Sequence, residues 1–143
     1  MIRVQTMDFD VGKELSALTE RNVSIGGIVT FVGTVRGNAD GNDVGAMTLE
    51  HYPGMTEKQL ESLVSASCET NNLMEALVVH RVGSVNPGED IVLVAVWSAH
   101  RKASFDACRE IMEALKSTAP FWKKETLDDQ NSERWVHHNT PDS

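Results

Sequence analysis

Two segments of apolar, mostly β-branched residues constrain the fold of this chain more than any other feature. Residues 76–82 read ALVVHRV and residues 91–97 read IVLVAVW. Strands that are covered on both faces show such continuous apolar runs, whereas a strand with one solvent-exposed face alternates between apolar and polar residues. The intervening Asn86-Pro87-Gly88 is a turn signal, because proline fixes φ and glycine permits a positive φ. The sequence therefore predicts a sheet with these two segments in its middle.

Helical patterns surround this pair of strands. Apolar residues recur at helical spacing over residues 11–20, 56–69 and 103–118. Thr56 and Gln59 have the spacing of a capping box, which predicts that the second helix begins at Thr56. The third helix has the longest apolar stripe, and Pro120 predicts its end near residue 118, because the residue before a proline avoids helical geometry.

Two more segments have the composition of strands. Residues 25–35 and 44–52 are rich in β-branched residues, and the turn-rich residues 37–43 between them predict a hairpin. The order of helices and strands, with hairpin-like links, favours an α+β fold over a doubly wound parallel sheet. The length predicts one domain over residues 1–143, with a loosely held tail after about residue 126.

Composition excludes several classes of function. Thirteen Lys plus Arg against 21 Asp plus Glu give a formal charge of -8, which disfavours nucleic-acid binding. The longest apolar run, residues 91–97, is much shorter than the ~20 residues of a membrane helix, so we expect a soluble, cytoplasmic protein that does not bind membranes. Cys68 and Cys108 lack the spacing of a metal site and are expected to be buried. We expect no metal and no cofactor.

The stretch LKSTAPFWKKE, residues 115–125, concentrates positive charge in this acidic chain. Because Pro120 ends the helix, Lys116 closes it, and Lys123 and Lys124 follow after the chain folds back. Lysines near a helix C-terminus also complement its dipole, so a purely structural role is open. The alternative is an anion site with apolar walls, in which desolvation lowers the pKa of a lysine and makes its amine usable as a base or nucleophile.

Two further places combine cations with a strand end. His100 and Arg101 lie between the most apolar strand and the third helix, where free backbone N–H groups and a guanidinium favour an anion. Arg36 ends the first glycine-rich strand. Each of these places also has a simple interpretation as solvated surface. The sequence contains no GxGxxG, Walker, nucleophile-elbow or HExxH motif.

Taken together, five segments resemble the large, catalytic subunits of molybdopterin synthase. In chain order they are GIVTFVGTVRG, MTLEHYPGMTEKQL, VVHRVGSVNPGE, VWSAHRKASFDAC and LKSTAPFWKKE, which cover residues 27–125. The resemblance implies an α/β hammerhead fold and a homodimer that two small ubiquitin-like subunits complete to a heterotetramer. It also implies an activity: two sulfurs pass from the C-terminal thiocarboxylate of the small subunit to cyclic pyranopterin monophosphate, which gives the dithiolene of molybdopterin.

The resemblance also implies roles for individual residues. Lys116 and Lys123 match the two catalytic lysines of the family. Lys116 would meet the thiocarboxylate carbonyl as a hydrogen-bond donor, acid/base or transient acyl acceptor, and Lys123 would orient and protonate the pterin. The residues implied in substrate binding are Thr34, Val35, Arg36, His100, Arg101, Lys124 and Glu125. The loop of residues 37–43 and the tail after Glu125 follow the family pattern poorly.

Two other functions remain open from the residues themselves. A binding module could capture a ubiquitin-like tail or an anionic metabolite without chemistry, because lysine and arginine clusters serve both purposes. A phosphate-ester hydrolase would need a nucleophile or metal site, for which the sequence gives no signal.

Overall fold

The computed structural model describes residues 1–19, 22–39, 42–118, 120–127 and 132–136, of which residues 38–39, 42–44, 124–127 and 132–136 are described by their backbone alone. The helices are α1 (Val11–Thr19), α2 (Met55–Asn71) and α3 (Arg101–Ser117). The strands are β1 (Ile2–Gln5), β2 (Gly27–Thr34), β3 (Asn38–Ala39), β4 (Asn42–His51), β5 (Glu75–Arg81), β6 (Gly83–Val85), β7 (Asp90–Ser98), β8 (Phe121–Leu127) and β9 (Ser132–Val136).

The first sheet has the strand order β1-β5-β7-β2, with β1 parallel to β5 and the other pairs antiparallel. Its central strands are the two apolar segments, as predicted. Successive residues of β5 enter two different cores: Val78 packs with α2 and α3, whereas Leu77 and Val79 pack with α1. Helices therefore cover both faces of the sheet, which explains why neither strand alternates between apolar and polar residues.

The second sheet has the order β3-β4-β8-β9, and β6 also pairs with β4. The predicted hairpin between residues 25–35 and 44–52 is wrong. β2 pairs with β7 from Gly27 opposite Ser98 to Thr34 opposite Asp90, so it belongs to the first sheet. β4 instead pairs with β3, β6 and β8 in the second sheet. Two strands that are neighbours in sequence thus belong to different sheets, and β2 pairs with the apolar β7.

The start of α2 also differs from the prediction. The helix begins at Met55 after Gly54, whose N–H donates to Glu57 Oε2 at 2.6 Å. Thr56 is not the cap. It lies inside the first turn, fully buried, and its hydroxyl accepts from the Tyr52 N–H at 3.0 Å and donates to the Pro120 carbonyl at 3.3 Å. Thr56 therefore ties the start of α2 to the start of β8.

The α+β fold class is confirmed by these helices and by sheets that are mainly antiparallel. The predicted end of α3 is confirmed as well: the helix stops at Ser117, and the Thr118 N–H caps it by donating to the Ala114 carbonyl at 2.8 Å. In the part of the chain that the structure describes, no helix is both long and apolar enough to span a bilayer.

Candidate active site

The predicted site residues lie at two opposite ends of β7. The strand starts opposite Thr34 and ends at Ser98, and α3 then returns along β7 and β2. His100 and Arg101 therefore lie at one end, whereas the residues around Thr34 lie at the other. Eight residue steps of ~3.3 Å separate the two ends by about 26 Å. A single small ligand cannot contact both ends within one chain.

The end that carries Thr34 will be called the amine end, because Arg36, Lys116 and Lys123 belong to it. Lys116 is in the last turn of α3 and is exposed. Lys123 is the third residue of β8, is half-buried, and lies opposite the buried Leu49 of β4. Pro120 lies between the two lysines, so they belong to a helix end and a strand rather than to one helix face, as predicted.

Behind Lys123 lies a group of rings that no sequence pattern connects with the site. The ring of Phe121 stacks on His80, with 3.9 Å between the centroids and 13° between the planes. His51 lies 6.5 Å from Phe121 on the same strand pair, and its Nε2 is 3.2 Å from Glu57 Oε1. These residues come from β4, β5, β8 and α2, so no sequence spacing could have indicated their contact.

His80 is uncharged at neutral pH. Burial lowers the pKa of its imidazole to about 4, and the nearby charges of Lys123 and His51 lower this pKa further, against the opposing effect of a hydrogen bond. That bond joins Nδ1 to the Arg81 carbonyl at 2.7 Å. Because a carbonyl only accepts, Nδ1 carries the proton, and Nε2 of the neutral ring is left as an acceptor.

Arg36 is exposed and follows the buried Val35, whose backbone is held on both sides. The Val35 N–H donates to the Glu89 carbonyl at 3.0 Å, and the Gly88 N–H donates to the Val35 carbonyl at 2.8 Å. Glu89 is held in turn by the buried Arg81, which donates to its carboxylate at 2.6 Å and holds the pKa of that carboxyl below its usual range. The backbone that carries Arg36 is therefore fixed by the turn between β6 and β7.

The other end of β7 will be called the turn end, and it consists of residues 98–104. The Ser98 hydroxyl lies 2.6 Å from the His100 carbonyl and 2.5 Å from the Ser104 hydroxyl, which lies 3.0 Å from the Gly27 carbonyl. Both serines are buried, whereas His100 and Arg101 are exposed. The turn end therefore offers a cation and the first N–H groups of α3 on a rigid base.

A glycine makes this close packing possible. A Cβ atom added to Gly26 would lie 1.8 Å from the Ala99 carbonyl oxygen, which no side chain could tolerate. The Gly26 N–H also donates to the Ser98 carbonyl at 2.9 Å. Residue 26 therefore has to be glycine for the segment before His100 to lie where it does.

Two predicted site residues are described by backbone only. Lys124 and Glu125 continue β8 and pair with Thr48 and Met47 of β4. Their side chains, like residues 128–131 and 137–143 of the tail, lie outside the described part of the structure.

Neither cysteine is suited to carry sulfur as a thiolate. Cys108 is buried, as predicted, whereas Cys68 is only half-buried, and burial raises the pKa of both thiols. A thiol must lose its proton to act as a nucleophile. Across the described residues, no group of three His, Cys, Asp or Glu side chains could hold a metal ion.

Comparisons with known proteins show the family of this chain. Residues 4–118 match the family described as MoaE protein. The molybdopterin synthase catalytic subunit of Ralstonia nicotianae is 53% identical over 135 residues, which are 94% of this chain and 76% of that protein. That of Pseudomonas aeruginosa is 52% identical over 135 residues, 94% of this chain and 89% of that protein.

Solved structures show the same fold. The molybdopterin biosynthesis MoaE protein from Burkholderia ambifaria aligns with a TM-score of 0.83 and 46% identity, over 99% of this chain and 92% of that one. A complex of subunits 1 and 2 of the molybdopterin-converting factor from Helicobacter pylori aligns with a TM-score of 0.78 at 20% identity, over 95% of this chain and 90% of that one, which supports the fold alone. On these matches in sequence and structure, the chain belongs to the MoaE family, together with molybdopterin synthase catalytic subunits.

Proposed function

We propose that this chain is the catalytic subunit of a molybdopterin synthase. It transfers two sulfurs from the C-terminal thiocarboxylate of a small ubiquitin-like subunit to cyclic pyranopterin monophosphate and forms the molybdopterin dithiolene. The observation that carries the proposal is the amine end, the end of the fold to which Lys116, Lys123 and Arg36 belong, in a member of the MoaE family whose formal charge is -8. Both the donor and the acceptor of sulfur are anions, so local cations in an acidic protein focus them on one place.

Lys116 and Lys123 divide the chemistry between them. Lys116 is at an exposed helix end, where an incoming tail can reach it, and it acts on the thiocarboxylate carbonyl as donor, acid/base or transient acyl acceptor. Lys123 is half-buried beside the stacked rings of Phe121 and His80, and it orients and protonates the pterin. Arg36, with Thr34 and Val35, binds the substrate beside them. Lys124 and Glu125 extend this segment along β8.

His100 and Arg101 bind the cyclic phosphate, and the homodimer explains how they can do so. About 26 Å of β-strand separates the turn end from the amine end of the same chain. In a two-fold dimer the turn end of one copy can face the amine end of the other, so that each site takes residues from both chains. Two small subunits, one for each site, then complete a heterotetramer.

The two cysteines of this chain fit a reaction in which another protein supplies the sulfur. Both cysteines have thiols whose pKa values are raised by burial, which disfavours them as sulfur carriers and fits a donor on the partner. Each donor tail gives one sulfur, takes in its place an oxygen from water or from the acceptor, and leaves as a carboxylate. Cys68 and Cys108 are free, which agrees with a reaction in the reducing cytoplasm.

Replacing Lys116 tests the proposal. With thiocarboxylated partner and precursor in a single-turnover assay, Lys116→Ala is expected to form dithiolene about 10²–10⁴-fold more slowly. Lys13→Ala removes an exposed lysine from α1, on the other face of the first sheet, and is the matched control. A normal rate for Lys116→Ala would refute its assigned role. Capture of the partner without any dithiolene by the wild-type chain would indicate a binding module instead.

A further inference from the structure

His80 is a buried, titratable side chain to which the proposed chemistry gives no role. It is 8% exposed and lies near the end of β5, opposite Val92 of β7. This position is at the amine end of the first sheet, where β5 and β7 meet the second sheet. An imidazole at such a junction could be replaced by an aliphatic residue if filling space were its only task.

The ring of His80 contacts the strand that carries Lys123. Phe121, on which it stacks, is the first residue of β8 and lies two positions before Lys123. Side chains two apart on a strand lie on the same face, so Phe121 and Lys123 both face His80. Register supports this placement, because Phe121 lies opposite His51 and Lys123 lies opposite the buried Leu49.

The charge around His80 explains why the ring has to be neutral. Lys123 on β8 and His51 on β4 both lie close enough to disfavour a second positive charge, Arg81 follows on β5, and Glu57 of α2 is paired with His51. A cation at position 80 would repel the Lys123 ammonium at close range in a poorly hydrated place. A neutral ring lets the half-buried amine stay near the core.

We propose that His80 is a positioning residue for Lys123: its ring, stacked on Phe121, fixes the start of β8 and thereby the point at which the Lys123 amine enters the site. The inference rests on the proposed catalytic role of Lys123. It adds a residue from the core of the first sheet to the determinants of sulfur transfer.

Labelling of Lys123 by an amine-acylating reagent, followed by peptide mass spectrometry, tests the placement without any turnover. In His80→Ala, the reactivity of Lys123 relative to Lys13 is expected to rise about threefold, because an amine that is no longer held beside the core is more exposed to the reagent. His80→Phe keeps the stacked ring and is expected to restore the wild-type ratio. Equal ratios in all three proteins would overturn the inference.

Val79→Ala is the matched control for loss of stability. Val79 precedes His80 on β5 but packs on the opposite face of the sheet, with α1. Compared at equal folded fractions, Val79→Ala is expected to leave Lys123 labelling unchanged. If His80→Ala does not fold, Phe121→Leu removes the stack from the other side and should change the labelling in the same direction. A labelling change in Val79→Ala as large as in His80→Ala would also refute a specific role.

Kinetics then connect the placement with the chemistry. His80→Ala should lower kcat about 10–100-fold with little change in KM, as expected for a misplaced catalytic group, and His80→Phe should recover most of the loss. If Lys123→Ala loses sulfur transfer, a normal kcat for His80→Ala would overturn the inference. Lys123→Ala separates the two proposals. If Lys123→Ala keeps full sulfur transfer while the His80 variants still change the labelling of Lys123, the proposed catalytic role of Lys123 is wrong. The positioning of Lys123 by His80 then still stands.

Discussion

The amine end and the turn end of the candidate site are built in different ways. The turn end consists of consecutive residues, 98–104, held by two serine hydroxyls and by close contact with Gly26. The amine end brings together residues from β2, α3, β8 and the ring group behind them. A locally built anion site depends on a few short contacts, whereas a site assembled from distant segments depends on the whole core. Mutations should therefore affect the two ends differently.

The largest effect on the turn end is expected from Gly26→Ala. Its Cβ would collide with the Ala99 carbonyl oxygen, so the turn has to move, at a cost of about 3 kcal/mol in the free energy of unfolding. Gly12→Ala in α1 is the matched control, since its Cβ would meet only Asp10 Oδ1 at 3.4 Å. Urea unfolding of both variants measures the difference. An unfolding free energy for Gly26→Ala equal to that of the wild type would show that the turn is not rigid.

The amine end should be the more sensitive to acid. The pKa of His80 is about 4 in the folded chain and ~6.5 when unfolded, so the unfolded chain binds more protons between these values. The contribution of neutral His80 to the free energy of unfolding is therefore fully present above about pH 6.5. It falls as the pH drops towards 4, by on the order of 2–3 kcal/mol. Urea unfolding across this range should show a smaller fall for His80→Phe than for the wild type. Parallel curves for the two proteins would contradict the assignment.

A smaller effect is expected from Ser104→Ala. This change removes the hydroxyl that links Ser98 to the Gly27 carbonyl, with a loss of about 1 kcal/mol in stability. Because Ser98 would lose its contact with the first turn of α3, KM for the phosphate-bearing substrate should rise more than kcat falls. Ser117→Ala, at the far end of α3, is the control. A loss confined to kcat would indicate that the turn end acts in the chemistry itself.

Mixing two inactive variants tests whether the ends cooperate across a dimer. Suppose that each site joins the amine end of one copy to the turn end of the other. Random pairing of Lys123→Ala chains with Arg101→Ala chains then leaves about a quarter of all sites with both ends intact. If both ends act within one chain, no site is restored. Activity measured after subunit exchange, against each variant alone, distinguishes the two arrangements.

The difference between the two ends also explains what the sequence could predict. Segments governed by local pattern were predicted correctly, including the central strands β5 and β7, the stripe of α3 and its end before Pro120. The hairpin of β2 with β4 was wrong, because strand composition does not specify which partner a strand will pair with. Thr56 was misassigned as a cap since its hydroxyl bonds Pro120, a contact between distant segments.

In the candidate site, too, contacts between distant segments could not be predicted from local sequence patterns. The family resemblance identified individual residues, and those residues remain predictions of role. It did not predict that β7 would separate His100 from Arg36, since that distance depends on the register of β2 against β7. The stack of His80 on Phe121 was missed for a similar reason. His51 and His80, the two histidines of this group of rings, lie in segments with the sequence pattern of ordinary strands.

The hydrogen bond from Thr56 to Pro120 has a consequence for the order of folding. It joins residues 64 positions apart, and closing so long a loop costs entropy that only a formed core can offset. The strand that carries Lys123 should then dock late, after β5 and β7 have paired with the helices. Amide exchange in β8 should accordingly proceed through partial openings that leave the first sheet intact. The lysine that completes the site would thus be among the first to leave it under mild denaturant, well before the chain as a whole unfolds.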